Sequence, residues 1–510
     1  MAITPGDNLN SVPAPRKQTL NTNYLDFTGT ANSWGQQYLP DLMEKEAEVF
    51  GPRTISGFLA QIGAEEAMQS DQVVWSEQGR LHLSYKGKIL SGSGGTTGAT
   101  AVNGQAPTTI TIEKDIDGKA LHSNGHGIRT NDLVIVSDST NGIVKCLVTG
   151  VTATTANVLP YDRGAAGLSA SADAESVRIL VFGSEFGKGM SYVSAASTAA
   201  TDTRGANEPR FQTFTNKPII MKDYYEVSGS DASRIGWVEV SAENGQSGYL
   251  WYLKAEADTR SRFNDYIEMA MLESEFNDGS SVLDGATDYL KGSADDSGAG
   301  GTVGTEGLFA AIESRGNITT GVNGVNAATD LAEFDAILAE FDKQGAIEEN
   351  MLFVNRATSL AFDDMLASMN SYGAGGTSYG VFENDEDMAL NLGFSGFRRG
   401  SYDFYKSDFR YLNDKATRGG INDAAGANAI RGVIIPAGTS TVYDQQLGKN
   451  LKRPFLHVRY RASQTDDRRM KTWTTGSVGA ATSALDAMQI HFLSERCLIT
   501  QGANNFMLMK

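Results

Sequence analysis

The sequence predicts an α+β protein that carries a separate all-β insertion, and three features of its 510 residues predict it. One apolar stripe persists from Gln246 to Glu275, about eight helical turns. A glycine- and threonine-rich block between residues 91 and 183 breaks into short alternating segments, and residues 431–510 are rich in strand-like runs.

Composition bounds the reading. At ~150 residues per domain the length corresponds to about three domains or one elaborated fold. An apolar fraction of 40% and a charged fraction of 20% describe a globular chain with a real core. There are 56 glycines against 11 prolines without a collagen period, which points to many turns and close backbone approaches. The formal net charge of −18 disfavours tight, sequence-independent nucleic-acid binding and favours solubility at high copy number. The opening Met-Ala-Ile-Thr-Pro-Gly-Asp lacks the charged and apolar regions of an export signal, and no run approaches ~18 unbroken apolar residues. Cys146 and Cys497 have no CxxC companion, so packed, reduced thiols of a cytoplasmically made chain are expected.

Each element has its own signal. Residues 1–50, interrupted by Pro5, Pro13 and Pro15, read as an extended arm with Trp34, Tyr38 and Leu39 as docking anchors. A short helix, Asp41 to Phe50, follows Pro40, with Asp41 as its N-cap. Gly92-Ser93-Gly94-Gly95 leads into a small barrel or sandwich over residues 91–183, with strands at Thr109–Ile112, Leu133–Val136 and Val144–Val148. Asp117-Gly118, Asn124-Gly125 and Asn141-Gly142 mark its turns.

Along the long helix Tyr249, Leu250, Leu253, Ala257, Phe263, Ile267 and Met271 share the stripe. Glu256 with Arg260, and Asp258 with Arg262, form acid-first i,i+4 pairs. A second helix, Asp330 to Lys343, turns Leu331, Phe334, Leu338 and Phe341 inward and stops at Gly345. The buried strand Met351–Val354 passes through Asn355 into a helix carrying Ala361, Met365, Leu366 and Met369. Later strands are Val433–Ile435, Leu456–Tyr460, and a pair at Gln489–Leu493 and Leu498–Gln501.

Catalytic motifs fail on spacing, and no catalytic, cofactor or metal residue is assigned. In Gly183-Ser-Glu-Phe-Gly-Lys-Gly189 the spacing between glycines is too short for a P-loop, and Gly189 stands where the hydroxyl belongs. Asp115-Ile-Asp-Gly118 lacks the third ligand and closing glutamate of a calcium loop, so a solvated turn is expected. The acidic run Glu383–Asp387 reads as a solvated loop. His122 and His126 have zinc spacing for a helix, but Asn124-Gly125 makes their segment a turn. With five histidines and no Gly-x-Ser-x-Gly elbow, no serine triad is supported.

The order of elements resembles the major capsid proteins of tailed bacteriophages, the capsid fold shared with herpesviruses. Tyr249-Leu-Trp-Tyr-Leu-Lys-Ala-Glu256 onward looks like the family's spine helix, Leu352-Phe-Val-Asn-Arg356 like its axial strand-to-helix passage, and His491–Ile499 like its closing peripheral strands. The resemblance implies an arm at 1–50 and an extended loop with the start of a peripheral domain at 51–90 and 184–245. The insertion then occupies 91–183, the spine helix 246–290, an axial domain 291–430, and the return with C-terminal peripheral strands 431–510. It implies a non-enzymatic protein that assembles as hexamers and pentamers into an icosahedral shell, in the host cytoplasm, around double-stranded DNA touched only weakly. It implies a portal, auxiliary or decoration proteins and no membrane. Without a Glu/Lys-rich opening helix, a separate scaffolding protein is expected. The competing readings are another virion component (tail, fibre or decoration, with a glycan-binding β module) and a hydrolase with a fused β module.

Candidate subunit contacts are Trp34 and Tyr38 of the arm, and Asp466, Asp467, Arg468 and Arg469. The last four lie in a segment with Lys452, Arg453, Arg459 and Arg461, whose other reading is a solvated hairpin. Arginine's planar fork suits facing carboxylates, and in the family a loop between late strands meets its symmetry mates. Acids beside bases would let each copy offer both signs.

Overall fold

The computed structural model describes residues 57–59, 64–80, 82–91, 107–121, 125–162, 168–171, 175–189, 211–232, 240–241, 247–248, 250–276, 304–322, 324, 326–345, 347–371, 396–422, 429–437, 439–444, 449–477 and 482–510. The arm with Trp34 and Tyr38, the Asp41–Phe50 helix, the Gly92–Gly95 linker, His122 and the acidic run Glu383–Asp387 lie outside them. The chain divides into two compact units, residues 76–213 and the segments on either side.

Between the first strands of the flanking unit, Ala64–Met68 (β1) and Val73–Gln78 (β2), and its later ones lies a closed six-stranded barrel. Its strands are Ser84–Ser91 (β3), Thr108–Asp115 (β4), Asp132–Asp138 (β5), Gly142–Val151 (β6), Thr155–Pro160 (β7) and Val177–Ser184 (β8), ordered β3-β4-β7-β6-β5-β8. Every pairing is antiparallel, and closure leaves no free sheet edge. The period of two does the sorting: Val134, Val136, Val144, Cys146 and Val148 point inward, and Leu133 and Ile135 are half-buried outside.

The barrel starts earlier than residue 91. Strand β3 hides in sequence because Gly87 interrupts its alternation. A side chain there would sit 2.2 Å from the Thr111 carbonyl oxygen, where β3 and β4 shift register. The expected turns at Asp117-Gly118 and Asn141-Gly142 place their glycines at φ +83° and +70°.

Phe211–Asn216 (β9), at the far end of residues 76–213, pairs with β2, and in the flanking unit Ile219–Ser228 (β10) leads past a small ribbon, Val240–Ser241 (β11) with Ser247–Gly248 (β12), to the helix Leu250–Glu273 (α1). Its buried face steps by four through Ala255, Thr259, Phe263, Ile267 and Met271. Ala257, expected on that stripe, is exposed, because two residues from Ala255 is about 200° around the helix. Arg262 reaches Asp223 on β10 at 3.1 Å.

A second sheet combines Asn317–Thr319 (β13), Glu349–Val354 (β14), Gly396–Arg399 (β15), Tyr402–Asp408 (β16), Gly432–Pro436 (β17) and Met507–Met509 (β23), ordered β13-β23-β17-β14-β16-β15. Leu352, Val354, Ile434 and Met507 face the helices Ala327–Gln344 (α3) and Arg356–Ser371 (α4), while Phe353, Val433, Ile435 and Leu508 join the main core with Leu308–Arg315 (α2). Burial on both faces explains the unbroken apolar runs at 351–354 and 433–435. Helix α3 begins three residues before the expected Asp330, because the Asn326 side chain accepts from Thr329 N–H; it ends at Gly345 in the left-handed conformation, as expected. Asn355 caps α4 through Thr358 N–H at 2.8 Å.

The remaining strands are Thr439–Asp444 (β18) with Lys449–Pro454 (β19), Leu456–Arg461 (β20), Lys471–Gly476 (β21) and Ala487–Thr500 (β22). Here the sequence misled: the two strands expected at 489–493 and 498–501 are one fourteen-residue strand. Ser494-Glu495-Arg496 reads as a break, yet these residues continue the ladder. One edge of β22 pairs with β10 from Ala487 to Arg496. The other is shared between β21, up to Leu493, and β20, from Arg496 onward. Strand β1 adds parallel to β20. Helix α1 covers one face through Phe263 and Ile267 against Ile490 and Phe492.

Candidate functional site

Residues 462–470 cross the gap between β20 and β21, and the backbone ties them into the sheet. Arg468 N–H donates to the Arg461 carbonyl and Glu495 N–H to the Arg468 carbonyl, both at 3.0 Å. Ser494 Oγ donates to the Arg469 carbonyl at 2.7 Å, joined by Arg496 Nη2 at 2.9 Å. The segment is thus a seam at the surface of the sheet, with Ser463, Gln464, Thr465, Asp467 and Arg469 exposed.

Its charges are used within the chain. Glu495, 5% exposed, sits 2.7 Å from Arg461 Nε and 2.6 Å from Arg468 Nε. Those two N–H groups are not aimed at its oxygens, so the contact is Coulombic more than a directed hydrogen bond. Glu65 on β1 lies 3.0 Å from Arg496 Nη1 and 2.5 Å from Arg469 Nε. Glu66 meets Arg459 at 2.7 Å, and Arg461 also holds Asp71. Asp466 binds Lys471 Nζ at 2.7 Å, and Asp467 accepts from Arg469 N–H at 2.9 Å. Burial lowers the pKa of Arg496, while the hydrogen bond to Asp71 raises that of Arg461. The four candidate contact residues of this segment therefore have partners in their own chain, and the partners on β1 were not found by sequence reading.

On the α1 face, Glu268 is buried and accepts from Gly57 N–H at 3.0 Å and Leu59 N–H at 3.1 Å. Desolvation raises its pKa against those two donors and Arg496, with Glu65 adding to the rise.

The opposite face of the sheet carries a ladder set by register. Lys222, Leu493 and Lys471 lie side by side, as do Tyr224, His491 and Trp473. The His491 ring stacks 5.1 Å from Trp473 and 6.0 Å from Tyr224, and its Nε2 lies 2.7 Å from Thr475 Oγ1. Lys222, Arg468, Lys471, Trp473 and Leu493 line an open cleft of about 340 Å³. Tyr224, two residues along β10 from Lys222 on the same face, is 57% exposed.

The weaker sequence motifs resolve into ordinary contacts. Asp117 pairs with Arg80 at 3.0 Å, His126 Nε2 lies 3.2 Å from the Thr155 carbonyl oxygen, and Ser184 to Gly189 runs from the end of β8 into a loop. Cys146 and Cys497 are both buried thiols, and burial pushes the Cys497 thiol up to about 12. Among the described residues no group of three or more His, Cys, Asp or Glu is placed to hold a metal ion, and no helix is long and apolar enough to cross a membrane.

No protein-family model and no curated protein matches the chain. Among solved structures it is similar to one described as "Microbacterium phage Oxtober96", at 9% identity over 95% of this chain and 99% of that one, with a TM-score of 0.36. The "Asymmetric unit of bacteriophage PhiM1 mature capsid" aligns with 62% of this chain and 78% of that one, at 9% identity and a TM-score of 0.27. The "Capsid structure of the Cyanophage P-SCSP1u" aligns with 62% and 79%, at 8% identity and a TM-score of 0.29. At these identities no residue role passes to this chain.

Proposed function

We propose that the chain is a shell-forming major capsid protein of the tailed-phage type, acting by self-association and without catalysis. The observation that carries the reading is the assembly of one helix-backed sheet from distant parts of the chain. Strands β1 and β10 flank the barrel insertion, α1 lies across the sheet, and β20 to β22 return after the helix–strand–helix layer. In this reading α1 is the spine helix, the sheet it backs is the peripheral domain, and the sheet with α3 and α4 is the axial domain. The barrel is an accessory module. Residues 1–50 are an arm that overlaps a neighbouring subunit, so that weak pairwise contacts multiply under closed symmetry. Hexamers and pentamers form the shell of the virion, with a portal, a separate scaffolding protein and auxiliary or decoration proteins as further partners.

Expression of the chain alone and with the reading frames beside its gene, followed by electron microscopy, tests this. Closed polyhedra or ring-shaped capsomers are expected. Tubes, fibres or isolated trimers under all conditions would place the protein elsewhere in a virion, and monomers throughout would end the structural reading.

A further inference from the structure

We infer that the cleft lined by Lys222, Arg468, Lys471, Trp473 and Leu493 seats an acidic, aromatic-bearing segment from a second copy, residues 20–50. This rests on the proposed shell function and adds the receiving surface for the arm.

The cleft selects a particular chemistry. Lys222 and Lys471 flank Leu493 on adjacent strands, so their backbones stand about 10 Å apart. The next row offers the stacked rings of Trp473, His491 and Tyr224. Arg468 and Lys471 already face Glu495 and Asp466, whereas no ion pair among the described residues engages Lys222. So little uncompensated positive charge suits one or two carboxylates carried beside apolar surface. It does not suit a phosphate backbone, which needs many cations.

Residues 20–50 match that chemistry. They hold Asp26, Asp41, Glu44, Glu46 and Glu48 against the single base Lys45, together with Tyr24, Phe27, Trp34, Tyr38 and Phe50. Geometry favours a second copy as donor. Gly57 and Leu59, where the described chain begins, are held by Glu268 on α1, and the cleft opens on the other face of the same sheet. The residues from 20 to 56 can span up to about 130 Å when extended, enough to reach an adjacent subunit.

The test uses the full-length chain with a photoreactive benzophenone amino acid in place of Tyr224. Light and nitrogen-15-labelled chains are mixed before assembly, irradiated, and mapped by mass spectrometry, with microscopy of the same sample. Heavy–light crosslinks to peptides within 20–50 are expected. Lys222→Glu should cut their yield about fivefold, and adding Glu44→Lys with Glu46→Lys should restore it. Crosslinks only within one copy, to another segment or to DNA would overturn the inference, as would shells that form without any crosslink. If microscopy shows no particles, the shell reading fails by itself; the docking inference is then judged on heavy–light crosslinks between soluble copies.

Discussion

Reversing Arg468 and Arg469 to glutamate is the perturbation for which the structure adds a folding cost to the assembly defect expected from sequence. Read from sequence alone, Arg468→Glu with Arg469→Glu should leave a folded subunit that fails to close shells. Ion pairs within the chain add a loss of stability. Removing one partner of a buried ion pair costs ~3–5 kcal/mol. Glu495 is buried, but the Arg468 side chain is 27% exposed and Arg461 remains beside Glu495, which reduces the loss to about 2–3 kcal/mol. Arg469 is 53% exposed and Arg496 still holds Glu65, so its share is under ~1 kcal/mol. A total near 3 kcal/mol is a large part of a typical ~5–15 kcal/mol stability. Urea unfolding of soluble subunits, followed by tryptophan fluorescence, measures it. An Arg468→Ala, Glu495→Gln double-mutant cycle should show a coupling of ~1.5–3 kcal/mol. A coupling below about 0.5 kcal/mol, with normal unfolding, would refute the folding cost, and blocked assembly would then come from the loop's surface alone.

Residues 76–213 expressed alone should unfold in one cooperative thermal transition, since the barrel closes its own sheet. Gly125→Ala in that fragment should lower its Tm by about 10 °C, because φ is +84° and a Cβ would meet the Ala153 carbonyl oxygen at 2.0 Å. Glu268 has a folded pKa raised above its ordinary value of 4.5, so between the two values the native state binds more protons than the unfolded one and stability falls as pH rises. Denaturation across pH 4–7 (a range set to span the usual carboxylate region) should therefore show a stabilising contribution on acidification that Glu268→Gln abolishes. Arg315 lies 4.4 Å over the Phe214 ring and 2.5 Å from Glu306, and Arg315→Met should cost about 1–2 kcal/mol by urea unfolding.

Periodicity made much of this fold legible. Helices α3 and α4 announced themselves through Phe334, Phe341, Met365 and Leu366, and strands β5 and β6 through alternation bounded by glycine turns. What escaped was strand formation imposed by distant partners. Ala64-Glu-Glu-Ala-Met68 consists of good helix formers, yet it is an edge strand parallel to β20, because Glu65 and Glu66 meet Arg469, Arg496 and Arg459 there. Strand β10 looked like part of a loop because its outer face is Ile220, Lys222, Tyr224 and Glu226, and only its register with β22 turns those residues into one surface. The excess of arginine between 459 and 469 over its two local acids was a usable signal that carboxylates must come from elsewhere in the chain or from a neighbour. Nothing local in the sequence decides between those sources.

That undecided choice bears on how the cleft can be tested. Arg468 belongs both to the seam, through Glu495, and to the cleft wall, so any change there perturbs folding and docking together. Lys471 has the same double attachment through Asp466. Lys222 differs: it projects from β10 on the exposed side, and replacing it removes charge from the cleft without unpairing a buried carboxylate. Surface substitutions of that kind usually shift stability by no more than about 0.5 kcal/mol. A loss of association in Lys222→Glu therefore reports on the surface itself, whereas the same loss in an arginine variant reports on a sheet whose seam has opened.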